Sequence, residues 1–300
     1  MIRSARALPP TQQSRGASIR RPLRLGLLSG LPERAGVYIL LIIASITVTL
    51  PFLFVVSASF KDSATLFTYP PQWLPQSLFT GNYTRLLFET GFPRWMANTL
   101  LVAGTVTAVS VLIDSMAGYA LAKMRFRGRN ALFILFLASL MIPSGALLIS
   151  LYKVVNGFGL TNTYLALILP ALANPLGIFV MRQYIMALPA DLENAARLDG
   201  VSEFGVFWRI ILPLVKPGLV VLAVIRFSEQ YVSFVWPLVA IRSTDLQVFT
   251  VGLTSMRTIA SVNYGLYSAG AILALVPIGI LFFLLQKQFL ARSTAGALKQ

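Results

Sequence analysis

The chain has 300 residues, of which 56% are hydrophobic and only 12% are charged. A water-soluble domain carries about 25% charged residues, so this composition excludes an ordinary soluble protein. Cysteine and histidine are both absent, which excludes disulfide bonds, Cys/His metal sites and catalysis by a thiolate or an imidazole.

Residues 1–34 are rich in Arg, Pro and Ser and show no hydrophobic periodicity. Such a segment buries too little apolar surface to fold, so we expect 1–34 to be disordered. The apolar run that follows is longer than the core of a signal peptide, which is about 7–15 residues, and we expect it to stay as a membrane span. Residues 35–300 then form one membrane domain.

Six apolar blocks follow along the chain. They cover 37–56, 97–121, 131–152, 164–186, 217–240 and 266–289. About 20 apolar residues in a helix cross the roughly 30 Å of hydrocarbon in a bilayer. The predicted fold class is therefore an all-α integral membrane protein with six transmembrane helices.

The basic residues predict which side of the membrane each loop faces. Eighteen of the 25 lie in the N-terminal segment, the loop after the second block, the 182–216 region and the tail, and six lie in the other loops. Cytoplasmic loops carry an excess of Lys and Arg, so both termini are predicted to be cytoplasmic. This distribution explains the net charge of +15 better than nucleic-acid binding does, and it places the basic N-terminal segment near anionic lipid.

A polar segment at about 187–216 separates the fourth and fifth blocks, and it is predicted to form two short helices. The first runs from about 189 to 199, and Gly200 suits the left-handed position that closes a helix. One face of this helix carries small or apolar residues: Leu192, Ala195 and Ala196. Ser202 suits the N-cap of the second helix, and Pro213 ends it. Apolar residues recur along it at i, i+3, i+4 and i+7: Phe204, Phe207, Trp208 and Ile211.

This segment resembles the EAA loop of the permease subunits of bacterial ABC importers. The family pattern is Glu-Ala-Ala, three residues, Gly, and about nine residues later Ile-x-Leu-Pro, and it is matched here by Ala195, Ala196, Asp199, Gly200, Ile211, Leu212 and Pro213. Asn194 stands where the pattern has Glu, and Glu193 is one position early. The resemblance implies an ATPase-coupling loop that includes Glu193, Asn194, Ala195, Ala196, Asp199, Gly200 and Phe204.

Shorter motifs extend the resemblance to carbohydrate-type permeases over about 37–300. They lie at 119–123, 126–129, 141–143, 159–163, 178–183, 236–238 and 294–299. The resemblance implies a subunit of a sugar or oligosaccharide importer in the bacterial cytoplasmic membrane; a phosphorylated polyol is the alternative substrate within the same family. Its implied partners are a second permease subunit in a heterodimer, two copies of a cytoplasmic ABC ATPase, an extracytoplasmic solute-binding protein and membrane lipid.

The chain itself is expected to have no catalytic residue, to bind no cofactor and no metal, and to bind no nucleic acid. It contains no Gly-x-x-x-x-Gly-Lys-Ser/Thr loop, so nucleotide hydrolysis through a P-loop belongs to a separate subunit. This is the expectation for a transporter subunit rather than an enzyme.

Polar residues inside the predicted spans point to a substrate path. Arg226, Glu229, Gln230 and Ser233 are spaced to share one stripe of the fifth span. A charge at the middle of a span costs at least about 2.5–3.5 kcal/mol, so each requires a function or a partner. We expect the stripe either to line the path or to pair Arg226 with Glu229. Asn174, at the predicted break before Pro175, is included in the path.

Asp114 lies toward the inner end of the second span. It is expected to make a packing contact or to pair with Lys123. The alternative is a proton- or sodium-coupled secondary transporter, in which Asp114, Arg226 and Glu229 would be the coupling groups.

Overall fold

The computed structural model describes residues 31–66, 68–70, 72–256 and 263–297, and side chains within these ranges from 35 to 285. The described residues are helical and contain no strand, as the predicted fold class requires. The prediction for the N-terminal segment 1–34 falls almost wholly outside them, since only the helical backbone of 31–34 is described.

The chain divides into two compact units, Met1–Phe52 and Leu53–Gln300. The described part of the first unit is the larger part of helix α1, Leu31–Ser59, which contains the first predicted span. The elements after α1 all belong to the second unit.

The second unit is built from helices of very different lengths. In chain order these are α2 (Gly81–Phe88), α3 (Phe92–Lys123), α4 (Arg129–Ser139), α5 (Ser144–Gly157), α6 (Tyr164–Ile168), α7 (Pro175–Met186), α8 (Asp191–Leu198), α9 (Glu203–Val206), α10 (Leu212–Leu214), α11 (Lys216–Tyr231), α12 (Val235–Ala240), α13 (Phe249–Ser255) and α14 (Tyr264–Ala297). A π-helical turn, Phe207–Ile211, joins α9 to α10, and short 3-10 turns occur at Ser63–Thr65, Leu169–Ala171 and Thr244–Leu246.

Three described helices are long and apolar enough to cross a membrane unaided: Ala35–Ser59, Phe92–Lys123 and Tyr264–Leu285. Three bent pairs reach the same length and hydropathy together. They are α4 with α5, bent by 102°; Tyr164–Ala171 with α7, bent by 43°; and Glu203–Leu214 with α11, bent by 80°. The helices therefore allow up to six crossings, if each bent pair is one span.

Two predicted spans are wrong as continuous helices. The block 131–152 is interrupted between α4 and α5 because Pro143 lacks an N–H and disfavours helical backbone in the residue before it. The block 217–240 is interrupted after α11. A helix through this point would bring the ring of Pro237 against the carbonyl of Ser233. That carbonyl instead accepts a hydrogen bond from Thr250 Oγ1 at 2.6 Å.

The predicted break before Pro175 is confirmed. Asn174 is the N-cap of α7, and its Oδ1 accepts from the N–H groups of Leu176 (2.8 Å) and Gly177 (3.2 Å). The N–H of Asn174 in turn donates to Oδ1 of Asp114 on α3, at 3.2 Å. The break is thus held from both sides by side-chain oxygens.

Helix α3 packs along α7 and α11 at the centre of the second unit. The approach to α7 is close, since a Cβ on Gly118 of α3 would lie 2.9 Å from the backbone nitrogen of Arg182. Near the C-terminal end of α3, an apolar cluster joins the three helices to the 187–216 segment. Its buried members are Tyr119, Met181, Ile185, Ala196, Val206, Phe207, Ile211, Val215 and Leu222. The segment is therefore packed onto the helices rather than projecting from them.

Candidate coupling segment and central cavity

The 187–216 segment folds as a hairpin of two helices whose junction, at Gly200 and Ser202, agrees with the prediction. Gly200 has a φ of +80°. Its N–H donates to the carbonyl of Arg197, and the N–H of Val201 donates to that of Ala196, which is the Schellman pattern of helix closure. Ser202 then caps the second helix by accepting from the N–H of Gly205 at 3.3 Å. The first helix is α8, slightly shorter than predicted.

The second helix of the hairpin is not a regular α-helix. The N–H of Leu212 reaches back five residues to the carbonyl of Phe207, so the turn is π-helical, a feature often found at functional sites. Pro213 does not end the helix as predicted, because α10 continues to Leu214.

The residues on the buried and exposed sides of the hairpin differ from those predicted. Leu192, Ala195 and Ala196 were expected to share one face, but only Ala196 is buried, and Leu192 is 44% exposed. The inward side of α8 consists of Glu193 and Ala196, which are three residues apart. In the second helix, Phe207 and Ile211 are buried, whereas the outward aromatic residues are exposed: Phe204 by 64% and Trp208 by 39%.

Glu193 ties the hairpin to α3. Its side chain is buried, and Lys123 Nζ lies 2.8 Å from its Oε1, while Arg197 Nη2 lies 3.4 Å from its Oε2. The predicted pairing of Asp114 with Lys123 is wrong. The two residues are nine positions apart on one helix, which is about 13 Å along its axis, and Lys123 pairs with Glu193 and donates to the carbonyl of Leu188 instead.

Glu203 provides a second tie between the hairpin and α3. It accepts a hydrogen bond from Tyr119 of α3 at 2.8 Å and pairs with Arg197 of α8 at 2.6 Å. The hydrogen bond to Glu203 raises the pKa of Arg197 above its ordinary value. Asn194, at the position of the family's Glu, is exposed and accepts a hydrogen bond from Arg197 at 3.3 Å.

A cavity of about 640 Å³ lies among α5, α11, the start of α12 and the turns that precede α7 and follow α11. The five residues predicted for the substrate path all line it: Asn174, Arg226, Glu229, Gln230 and Ser233. The residues chosen by helical spacing on the fifth span and the residue at the break before Pro175 therefore lie in the same cavity. Ser233 lies just beyond the end of α11, at the rim of the broken span.

Beside the cavity, Arg226 is held by the protein. The side chain is 3% exposed, and each nitrogen of the guanidinium has one acceptor. Nη1 lies 2.6 Å from Oε2 of Glu229, Nε donates to Ser110 Oγ at 3.2 Å, and Nη2 donates to the carbonyl of Ala171. The side chain of Glu229 is 40% exposed. The expected pairing of Arg226 with Glu229 is present, and the pair presents its carboxylate rather than its guanidinium to the cavity.

Asp114 is fully buried beside the break in the fourth predicted span. One carboxylate oxygen accepts from Asn174, and the other has no hydrogen-bond partner among the described residues. A Cβ on Gly177 would overlap that second oxygen, so only glycine allows α7 to approach Asp114 this closely. Asp114 is not among the residues that line the cavity.

Sequence reasoning missed several residues that complete these sites. Ser110, the carbonyl of Ala171 and the cavity-lining Trp236 surround the predicted stripe. Tyr119 and Glu203 complete the ties of the hairpin. A serine inside an apolar helix and a backbone carbonyl give no signal in a sequence, since their partners lie 116 and 55 residues away.

Comparison with known proteins identifies the family. Residues 114–294 match the binding-protein-dependent transport system inner membrane component. The chain belongs to this family. The arabinooligosaccharides transport system permease protein AraQ of Halalkalibacterium halodurans is 38% identical over 252 residues, which are 83% of this chain and 90% of AraQ. The maltodextrin transport system permease protein MdxG of Bacillus subtilis is 34% identical over 272 residues, covering 87% of this chain and 95% of MdxG.

Solved structures show the same permease fold. A chain from the crystal structure of a bacterial ABC transporter involved in the import of the acidic polysaccharide alginate superposes with a TM-score of 0.80 at 22% identity, covering 87% of this chain and 97% of that one. A chain from the alginate transporter in complex with an alginate pentasaccharide-bound periplasmic protein gives a TM-score of 0.57 at 16% identity, covering 87% and 94%. The resemblance read from the EAA-like segment is confirmed at the level of the family.

Proposed function

We propose that the chain is a permease subunit of an ATP-driven importer for a sugar or oligosaccharide in the bacterial cytoplasmic membrane. In this proposal it crosses the membrane six times with both termini in the cytoplasm, and it forms part of the translocation path. The observation that carries the proposal is the two-sided hairpin, which is tied to the helix bundle on one side and exposes apolar residues on the other.

The outward side of the hairpin suits a protein partner. Leu198 is 89% exposed and Phe204 is 64% exposed, on a segment that also exposes the charged residues Asp191 and Asp199. Large apolar side chains that stand out of a polar surface are typical of interaction sites. The partner is a cytoplasmic ABC ATPase, present in two copies, which hydrolyses the nucleotide; this chain binds no cofactor and performs no bond chemistry.

A continuous set of contacts leads from the hairpin to the cavity. Glu193 and Glu203 hold the hairpin against Lys123 and Tyr119 at one end of α3. Further along the same helix, Ser110 accepts a hydrogen bond from Arg226. Displacement of the hairpin therefore moves a helix that also bears on the cavity. Rigid-body motion of this kind provides alternating access to a path between two permease subunits.

The remaining partners follow from the same assembly. A second permease subunit completes the path as a heterodimer, and an extracytoplasmic solute-binding protein delivers the substrate. The alginate transporter was solved in complex with its periplasmic protein, and AraQ and MdxG carry the names of oligosaccharide systems. Both facts support this assignment for a chain of the same family.

The cavity favours a neutral, hydroxylated substrate over an anionic one. The guanidinium of Arg226 is 3% exposed and already paired with Glu229, so it is a poor site for an external anion. The carboxylate of Glu229 and the amide of Gln230 remain available to hydroxyl groups. A few polar groups among apolar and aromatic walls, here including Trp236, are the usual design of a small-molecule site. A phosphorylated polyol, the alternative substrate, would place its charge near Glu229 without a free cation to balance it.

Crosslinking tests the coupling proposal directly, because the chain has no native cysteine. The Phe204→Cys variant, assembled with its companion permease, ATPase and binding protein, is expected to crosslink to the ATPase. The matched control is Phe88→Cys, since Phe88 is also strongly exposed, at 82%, but lies on α2. Absence of any ATPase adduct from Phe204→Cys, or an equal yield from both variants, would refute the proposal.

Uptake measurements test the energy source and the path. Uptake should stop when ATP is depleted while the proton gradient is maintained; uptake that continues would favour the ion-coupled secondary transporter. Glu229→Ala should abolish uptake and leave the amount of assembled complex unchanged. Loss of the complex would instead assign Glu229 a purely structural role as the partner of Arg226.

A further inference from the structure

A basic cluster at the start of α4 has no part in the hairpin or the cavity. Residues 125–131 border a separate surface cavity of about 590 Å³, whose lining includes Arg125, Arg127 and Arg129. Arg182 of α7 adds a fourth guanidinium close by, since its central carbon lies 3.9 Å from the ring centre of Phe133, one turn along α4 from Arg129. Four positive charges thus meet at one end of a candidate span.

These four charges are not balanced by the protein. Among the described residues, none of the four arginines forms an ion pair with a carboxylate. Arg129 donates to the carbonyl of Met124 at 3.1 Å and Arg182 to that of Leu121 at 3.2 Å, but a carbonyl carries no net charge. Elsewhere in the described chain, four arginines do have a carboxylate partner: Arg85, Arg94, Arg197 and Arg226.

An exposed apolar surface begins beside the cluster. Ile134 and Leu135 on α4 are each 64% exposed, and Leu132, one turn closer to the arginines, is 40% exposed. A group of arginines next to an apolar helix surface matches the two halves of a phospholipid, because the arginines bind the phosphate and the helix contacts the acyl chains. The charge of the cluster selects an anionic lipid over a zwitterionic one.

We propose that the 125–131 loop and the first turns of α4 bind the headgroup of an anionic phospholipid such as phosphatidylglycerol. Arg125 and Arg127 have no hydrogen-bond partner among the described residues, so they contact the headgroup. Arg129, which also lines the cavity, and the nearby Arg182 add positive charge beside it. The acyl chains lie along Ile134 and Leu135. This site does not depend on the coupling proposal, and uptake is not its readout.

The test uses the full-length chain in vesicles of phosphatidylcholine that contain a small amount of nitroxide-labelled phosphatidylglycerol. The fraction of label that is motionally restricted by the protein is measured by electron paramagnetic resonance for the wild type and for Arg125→Gln/Arg127→Gln. Each basic residue near an anionic surface is worth about a fivefold change in affinity, so the double variant should bind about 30-fold more weakly. Both arginines are exposed, so the variant is expected to fold.

The matched control is Lys153→Gln/Arg242→Gln, which removes the same charge from two other exposed positions and should leave the restricted fraction unchanged. An equal loss in both double variants would overturn the proposal, since it would reflect net charge alone. The proposal would also be overturned if Arg125→Gln/Arg127→Gln kept the full restricted fraction of labelled phosphatidylglycerol. The same holds if the wild type restricted labelled phosphatidylcholine equally. Displacement of the label by inorganic phosphate would assign the site to free anions instead of lipid.

Discussion

Neutralising Glu193 should loosen the hairpin without unfolding the helix bundle. In the Glu193→Gln variant, Lys123 keeps its positive charge in a side chain that is only 11% exposed and retains the carbonyl of Leu188 as its acceptor. Breaking a buried ion pair costs about 3–5 kcal/mol. Because Lys123 keeps one acceptor and Arg197 keeps Glu203, we expect the lower limit, about 3 kcal/mol.

Hydrogen–deuterium exchange of the purified full-length protein measures this change locally. A loss of about 3 kcal/mol in the opening free energy should accelerate exchange of amides in 191–214 by about 150-fold. Amides of α14 between 264 and 285 should exchange at the wild-type rate, because the ion pairs of Glu193 do not involve that helix.

The chain offers a matched control in Glu89→Gln. Glu89 also forms an ion pair with an arginine four residues away, Arg85, at 3.5 Å, but the side chains of Glu89 and Arg85 are 65% and 58% exposed. Such surface pairs are worth at most about 0.5 kcal/mol, so Glu89→Gln should change exchange no more than about twofold. The reasoning is refuted if Glu193→Gln exchanges like Glu89→Gln in 191–214, or if the acceleration extends equally over α14.

Three further substitutions test the backbone of the two sites through the thermal stability of the purified protein. Gly177→Ala should destabilise the protein by about 1–3 kcal/mol because the new Cβ overlaps Asp114. The control, Gly104→Ala, has nothing within 4 Å of the new Cβ and should be neutral or stabilising. Equal effects of the two substitutions would contradict the close approach of α7 to Asp114. Gly200→Ala should cost about 1–2 kcal/mol at a φ of +80°, and Gly200→Asn should cost less; a neutral alanine would contradict the left-handed turn. Asn174→Ala should cost about 1 kcal/mol by removing the cap of α7, and an unchanged melting temperature would contradict that role.

The junction between the two hairpin helices was predictable because local chemistry determines it. Gly200 is the residue that adopts a positive φ at low cost, and Ser202 supplies its own oxygen to an N–H three residues later. Neither feature depends on the rest of the fold. The inward side of α8 was not predictable in this way, because it depends on the ion pair of Glu193 with Lys123, which lies on another helix, α3.

Prolines marked the interruptions of the spans in the sequence, but the average hydropathy of an apolar block does not reveal them. Pro143 and Pro237 lie within apolar blocks, and their effect comes from a missing N–H and a ring clash rather than from polarity. The break at Asn174-Pro175 was predicted from a proline at the middle of a span, and the structure adds that Asn174 is the N-cap of α7.

The stripe on α11 was partly predictable for a similar reason. Helical spacing alone places Arg226 beside Glu229, and the two form the ion pair. Spacing does not tell which of the two charges faces the cavity. That depends on Ser110 and the carbonyl of Ala171, which bind the remaining edges of the guanidinium and leave the carboxylate as the exposed charge.

The substitution of Asn194 for the family's Glu has a consequence for the proposed contact with the ATPase. The neighbouring acid, Glu193, is buried and neutralised by Lys123 and Arg197, so it is not available to a partner. Asn194 itself is exposed but uncharged. The outward side of the hairpin therefore offers Leu198 and Phe204 where the family pattern adds an acid. Salt screens interactions between exposed charges strongly, whereas contacts between apolar groups involve no charge to screen. We expect the Phe204→Cys crosslink to the ATPase to persist at high ionic strength, and a yield that falls steeply with salt would show that charges elsewhere on the hairpin hold the two subunits together.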